Sequence, residues 1–63
     1  MDKEYSQKLK ALRGDRTIEE VAKAVDISPS SLGMYETGRR VPRDDVKIRL
    51  ARYYETTVAA IFF

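Results

Sequence analysis

Apolar residues recur along this chain in five short stripes of helical period, each bounded by turn or capping residues. Tyr5, Leu9 and Leu12 fall at i, i+4 and i+7, with Lys8, Lys10 and Arg13 looking outward. A first helix is therefore predicted, capped at Asp2 or Ser6 and best started near Lys3 or Glu4, with its stripe facing inward. Gly14 is its left-handed stop. Thr17, followed three residues later by Glu20, makes a capping box, and Val21, Ala22 and Val25 form the buried stripe of a second helix with Ile18 at its edge. Beyond Asp26-Ile27, Ser28 is an N-cap and Pro29 suits the first helical position, where a missing N–H costs nothing. Ile27 and Leu32 can clamp that helix start as a hydrophobic staple. Leu32 and Tyr35 turn inward, so Pro29, Ser30, Gly33 and Met34 point away from the core. Gly38 reads as another stop, and Arg39-Arg40-Val41-Pro42 as an exposed loop. Asp44 and Asp45 begin a fourth helix, where negative charge suits the dipole. Its inner side carries Val46, Leu50, Ala51 and Tyr54, flanked by Ile48 and Tyr53. Glu55-Thr56-Thr57 breaks the chain, and Val58 to Phe63 forms a last helical turn with Val58, Ile61 and Phe62 inward. The expectation is an all-α, compact five-helix bundle occupying residues 1–63 as a single domain.

The second and third helices are joined by only two or three residues, which forces a steep crossing. That is a helix-turn-helix, a unit able to place its second helix in the DNA major groove. Gly33 bears on this reading. Within a helix it costs roughly 1 kcal/mol against Ala, so it reflects either a closely approaching surface or simple tolerance.

Charge is unevenly placed. From Met1 to Glu36 there are six basic and seven acidic residues, a net −1; between Thr37 and Tyr54 six basic residues face two acidic ones, a net +4. Such clustering suits a polyanion, although a basic run taken alone is more often a solvated face. The 63 residues contain no Cys and no His, which removes thiolate metal sites and the commonest general base. Glu19-Glu20 and Asp44-Asp45 are adjacent carboxylates, but neighbouring helical residues point different ways. The Ser28, Ser30 and Ser31 cluster lacks a base to activate it. No enzyme, no cofactor, no metal and no small-molecule substrate is expected. Neither a membrane span nor a secretory signal is visible, so a cytoplasmic, nucleoid-associated protein of prokaryotic or phage-like type is anticipated.

The spacing of Val21-Ala22, Ile27-Ser28, Leu32, Tyr35-Glu36, Gly38 and Pro42 resembles the phage repressor and Cro type of helix-turn-helix domain, the lambda-repressor-like or xenobiotic-response-element family. The similarity runs from about Leu9 to Phe62. Its most specific piece is Tyr35-Glu36-Thr37-Gly38-Arg39-Arg40-Val41-Pro42, which looks like the family's aromatic–Glu–x–Gly–basic–x–Pro segment. Leu50-Ala51 and Val58-x-x-Ile61-Phe62 look like its fourth and fifth helices.

The resemblance implies a transcriptional repressor that binds a pseudo-palindromic double-stranded DNA operator as a homodimer, with the third helix in the major groove. It implies that Pro29, Ser30, Gly33 and Met34 face base edges. Thr17, Ser28, Ser31, Thr37, Arg39, Arg40 and Arg43 would lie near phosphates. It also implies that Glu36 is buried and paired with Arg13, against the alternative of a surface Glu36. Several positions depart from the family pattern. Ile18 stands where the family usually has Gln, Lys47 where an apolar residue is frequent, and the turn from Arg13 to Thr17 looks short. The base-facing set holds no Gln, Asn or Arg, the side chains that make bidentate base contacts. Direct readout should then be thin, leaving specificity to DNA shape, half-site spacing or water. The C-terminal apolar end, Val58, Phe62 and Phe63, supplies dimer contact candidates, although Ile61 and Phe62 suit closing the core better. The alternative reading is a protein-interaction module of the same fold that does not touch DNA.

Overall fold

The computed structural model describes residues 4–63 as five helices: α1 (Glu4–Arg13), α2 (Ile18–Ala24), α3 (Pro29–Glu36), α4 (Asp44–Tyr53) and α5 (Val58–Phe62). No strand is present among the described residues. Helix α1 is described from Glu4 onward, and the other expected starts, Asp2 and Lys3, lie outside the described residues.

Three helices start on a hydroxyl. Thr17 Oγ1 accepts the Glu20 N–H at 3.0 Å, Ser28 Oγ accepts the Ser31 N–H at 3.0 Å, and Thr57 Oγ1 accepts the Ala60 N–H at 3.0 Å. Pro29 takes the first position of α3 as expected. At α4 the N-cap is Arg43, whose side chain makes no capping bond; Asp44 and Asp45 stabilise that end through charge instead.

Three helices also end alike. At α3 the Arg39 N–H donates to Met34 O at 2.9 Å and the Gly38 N–H to Tyr35 O at 3.3 Å, with Gly38 at φ +74°. This is the Schellman arrangement, and the same pair of bonds closes α2 onto Ala22 and Lys23 and α4 onto Ala51 and Arg52. In those two cases the left-handed residue is not glycine but Asp26 (φ +62°) and Glu55 (φ +56°). Gly14 ends α1 at φ +57°, as its sequence position predicts.

The core is a single cluster: Tyr5 and Leu9 of α1; Val21, Ala22 and Val25 at α2; Leu32 and Tyr35 of α3; Val46, Leu50 and Ala51 of α4; and Ile61 of α5. Ile18, Ile27, Tyr53, Tyr54, Val58 and Phe62 pack against its edge. Two expectations need correction. Leu12, expected inward, is exposed. Pro42 is buried: the loop is exposed at Arg39, Arg40 and Val41 but turns inward at its proline. Helix α3 packs against α1 and α2, whereas α5 packs against α1 and α4. The inward side of α3 is thereby held by Leu32 and Tyr35, and its other side remains uncovered by the described residues.

Candidate nucleic-acid interface

The uncovered side of α3 carries the four residues expected there. Pro29, Ser30 and Met34 are exposed and Gly33 is half-exposed. A Cβ built on Gly33 meets nothing within 4 Å, so no internal packing requires a glycine at this place. The helix-capping turn then delivers the arginines. Because the Arg39 N–H folds back on Met34 O, Arg39 begins beside the C-terminal end of that exposed face, with Arg40 next to it. Among the described residues neither Arg39 nor Arg40 takes part in an ion pair, whereas Arg43 lies 3.9 Å from Asp45, itself 3.7 Å from Arg49. The strongest uncompensated positive field of the loop therefore belongs to Arg39 and Arg40.

The hydroxyls assigned to phosphate contact differ in what they have left to offer. Thr17 Oγ1 and Ser31 Oγ both act as acceptors within the fold, from the Glu20 N–H and from Ser28 Oγ, and each keeps its own O–H for an outside acceptor. Ser28 Oγ both accepts from the Ser31 N–H and donates to Ser31 Oγ. Thr37 Oγ1 donates to Gly33 O at 3.0 Å, with Met34 O at 3.3 Å. To donate to a phosphate, Ser28 and Thr37 must rotate away from internal partners.

Beneath this surface lies an ion pair that fixes the end of α3. Glu36 is buried, and both its carboxylate oxygens accept from Arg13 Nε, at 3.1 and 2.9 Å. The hydrogen bond to Glu36 holds the Arg13 guanidinium above its ordinary pKa, against the opposing effect of desolvation. Arg13 Nη1 also donates to Arg16 O at 2.8 Å, so one guanidinium ties α1 to α3 and shapes the turn leading to Thr17. Arg16 in turn lies over the rings of Tyr53 and Tyr54, at 5.3 and 5.8 Å. The Tyr54 hydroxyl is buried with no hydrogen-bond partner among the described residues, and burial, with Glu36 nearby, pushes its pKa up to about 12.

One residue of this region is not legible as functional in the sequence. Tyr5 lies in the core stripe of α1, yet its hydroxyl donates to the carbonyl of Arg40 at 2.9 Å. The available signal was the choice of Tyr over Leu or Phe at a buried position, since a buried phenol generally finds a partner.

The C-terminal residues divide. Val58 and Phe62 are half-buried against the core, and Phe63 is 84% exposed. Lys47 lays its ammonium near the Phe62 and Phe63 rings, at 5.3 and 5.6 Å, which accounts for a lysine at an otherwise apolar place. Asp44, Lys47, Ile48, Val58 and Phe63 line a shallow groove of about 350 Å³. Among the described residues there is no cluster of potential metal ligands, and no helix is long and apolar enough to cross a membrane.

Two capped helices joined by the four residues Val25 to Ser28, the second exposing one face, define a helix-turn-helix protein of the class found in DNA-binding regulators. The family model described as Helix-turn-helix domain matches residues 4–61, nearly the whole chain, and the chain belongs to that family. No curated protein and no solved structure matches it.

Proposed function

We propose that this protein is a sequence-specific transcriptional regulator that binds double-stranded DNA with α3 in the major groove. The observation that carries this reading is the exposed α3 face running directly into two exposed arginines whose side chains take part in no ion pair among the described residues. Pro29, Ser30, Gly33 and Met34 face the base edges. Ser30 offers a hydrogen bond there, and Pro29 and Met34 offer apolar contact to thymine methyl groups. Arg39 and Arg40 grip phosphates, with Arg43, Thr17, Ser28, Ser31 and Thr37 around them. The mode of regulation we assign is repression, since occupying an operator needs only these contacts.

A single copy reads too few base pairs for useful selectivity, so two copies bind half-sites about one DNA turn apart. Phe63, with Val58 and Phe62, forms the contact between them. Sedimentation with one duplex carrying both half-sites should show two chains per duplex; a complex that never exceeds one chain contradicts the dimer.

If each copy neutralises about three phosphates, a dimer covers about six and its affinity drops by orders of magnitude as salt rises. Arg40→Ala should weaken binding to every sequence and flatten the salt dependence by about one phosphate per copy. An unchanged slope removes Arg40 from the backbone contact. A second reading, protein docking without DNA, is favoured by one feature, the absence of Gln, Asn and Arg from the α3 face. Failure of the wild-type chain to bind duplex DNA even in dilute buffer would support it.

A further inference from the structure

We propose that the Tyr5 hydroxyl is a positioning group for DNA binding, holding the arginine loop in the shape that presents Arg39 and Arg40 to phosphates. The inference rests on the DNA-binding reading above and assigns part of its geometry to a core residue on α1.

Tyr5 is only 7% exposed, and its ring packs with Phe62 at 5.8 Å between centroids. That packing needs a ring and no hydroxyl. The oxygen instead reaches 35 positions along the chain to the Arg40 carbonyl at 2.9 Å. The loop it meets is tied at both ends by backbone bonds of 2.9 Å, Arg39 N–H to Met34 O and Lys47 N–H to Arg43 O. Between those ties residues 40–43 have no regular secondary structure, and Pro42 is buried. The Tyr5 bond thus pins the first residue of the segment, one of the two arginines offered to phosphates. A phosphate contact made from a fixed loop loses less conformational freedom on binding than one made from a wandering loop. Hydroxyl-to-carbonyl bonding in the free protein would therefore appear as affinity for the DNA backbone and not as base preference.

Tyr5→Phe keeps the ring and deletes only the donor. With folding confirmed by circular dichroism, it should lower duplex affinity about fivefold at low salt, the worth of one lost hydrogen bond. It should also make the slope of log K against log salt shallower by roughly one unit per copy. In an Arg40→Ala background the same change should leave the slope unaltered, because the contact it supports is already gone. Backbone amide relaxation should show residues 40 and 41 more mobile in Tyr5→Phe, with Leu9 and Leu50 unchanged. If wild type binds and Tyr5→Phe keeps both its slope and the rigidity of the loop, the positioning role is overturned while the DNA reading stands. If wild type binds no duplex, the DNA reading falls and this role with it.

Discussion

Gly33 separates what the fold needs from what a partner needs. Its position is helical, its surroundings are open, and a methyl group there would touch nothing within 4 Å. For the isolated chain Gly33→Ala should raise stability by about 1 kcal/mol, the helix-propensity difference. If α3 lies against base edges, the same methyl should weaken duplex binding. Chemical denaturation and a binding titration on the one variant read both effects; a stabilised protein with undiminished affinity makes Gly33 a tolerated accident. Tyr54 is a second residue whose environment has a measurable consequence. An unfolded tyrosine ionises near pH 10, whereas burial and Glu36 keep Tyr54 protonated to about 12. Because the folded value is the raised one, its contribution is fully present below about pH 10 and is lost as pH climbs toward 12. Denaturant midpoints should fall across that window in wild type and fall less in Tyr54→Phe. Equal decline in both would show that another group governs alkaline unfolding. Read from sequence, neither hydroxyl is visible: periodicity marks Tyr5 and Tyr54 as inward and says nothing of what their oxygens meet.

Among the elements, starts are more legible than stops. Thr17, Ser28 and Thr57 are hydroxyls placed ahead of an apolar period, and each forms the capping bond its position predicts. Gly14 and Gly38 likewise read directly as left-handed ends. Asp26 and Glu55 adopt the same conformation without the residue that signals it, because the two closing backbone bonds at each site outweigh a modest steric cost. Leu12 shows the opposite error, an apolar residue in correct register on its helix that is nevertheless exposed. The Arg13–Glu36 pair was suggested by family resemblance and not by spacing, since the two residues are 23 positions apart. Its energetic role follows from burial. Glu36 is almost wholly enclosed and its partner's side chain is about one-fifth exposed, so removing the arginine leaves a carboxylate without compensation. Arg13→Ala should cost about 3 kcal/mol by denaturant titration. Replacing both residues with apolar ones of similar volume should recover most of it. A loss below about 1 kcal/mol in the single variant would show that the pair contributes no more than an exposed one.

At the scale of the whole molecule the division of labour is by face. The platform of α1 and α2 carries nearly balanced charge, while the six basic residues from Arg39 to Arg52 follow the exposed helix. Within an envelope of 27 × 22 × 22 Å, α3 is gripped from one side by α1 and α2 and left bare on the other. The groove beside Phe63 belongs to a different part of the chain, formed by α4 and α5. The proposed DNA contacts and this groove share no residue. On the proposed function, the bare side of α3 and the loop after it form the surface that meets duplex DNA. Adding a generic duplex to isotopically labelled protein in dilute buffer, and following every backbone amide, tests it most directly. Perturbed amides should fall between residues 29 and 43, with Thr17 and its neighbours beside them, and added salt should reverse the shifts. Amides that do not move at low ionic strength, or shifts gathered around Ile48, Val58 and Phe63 instead, would contradict it.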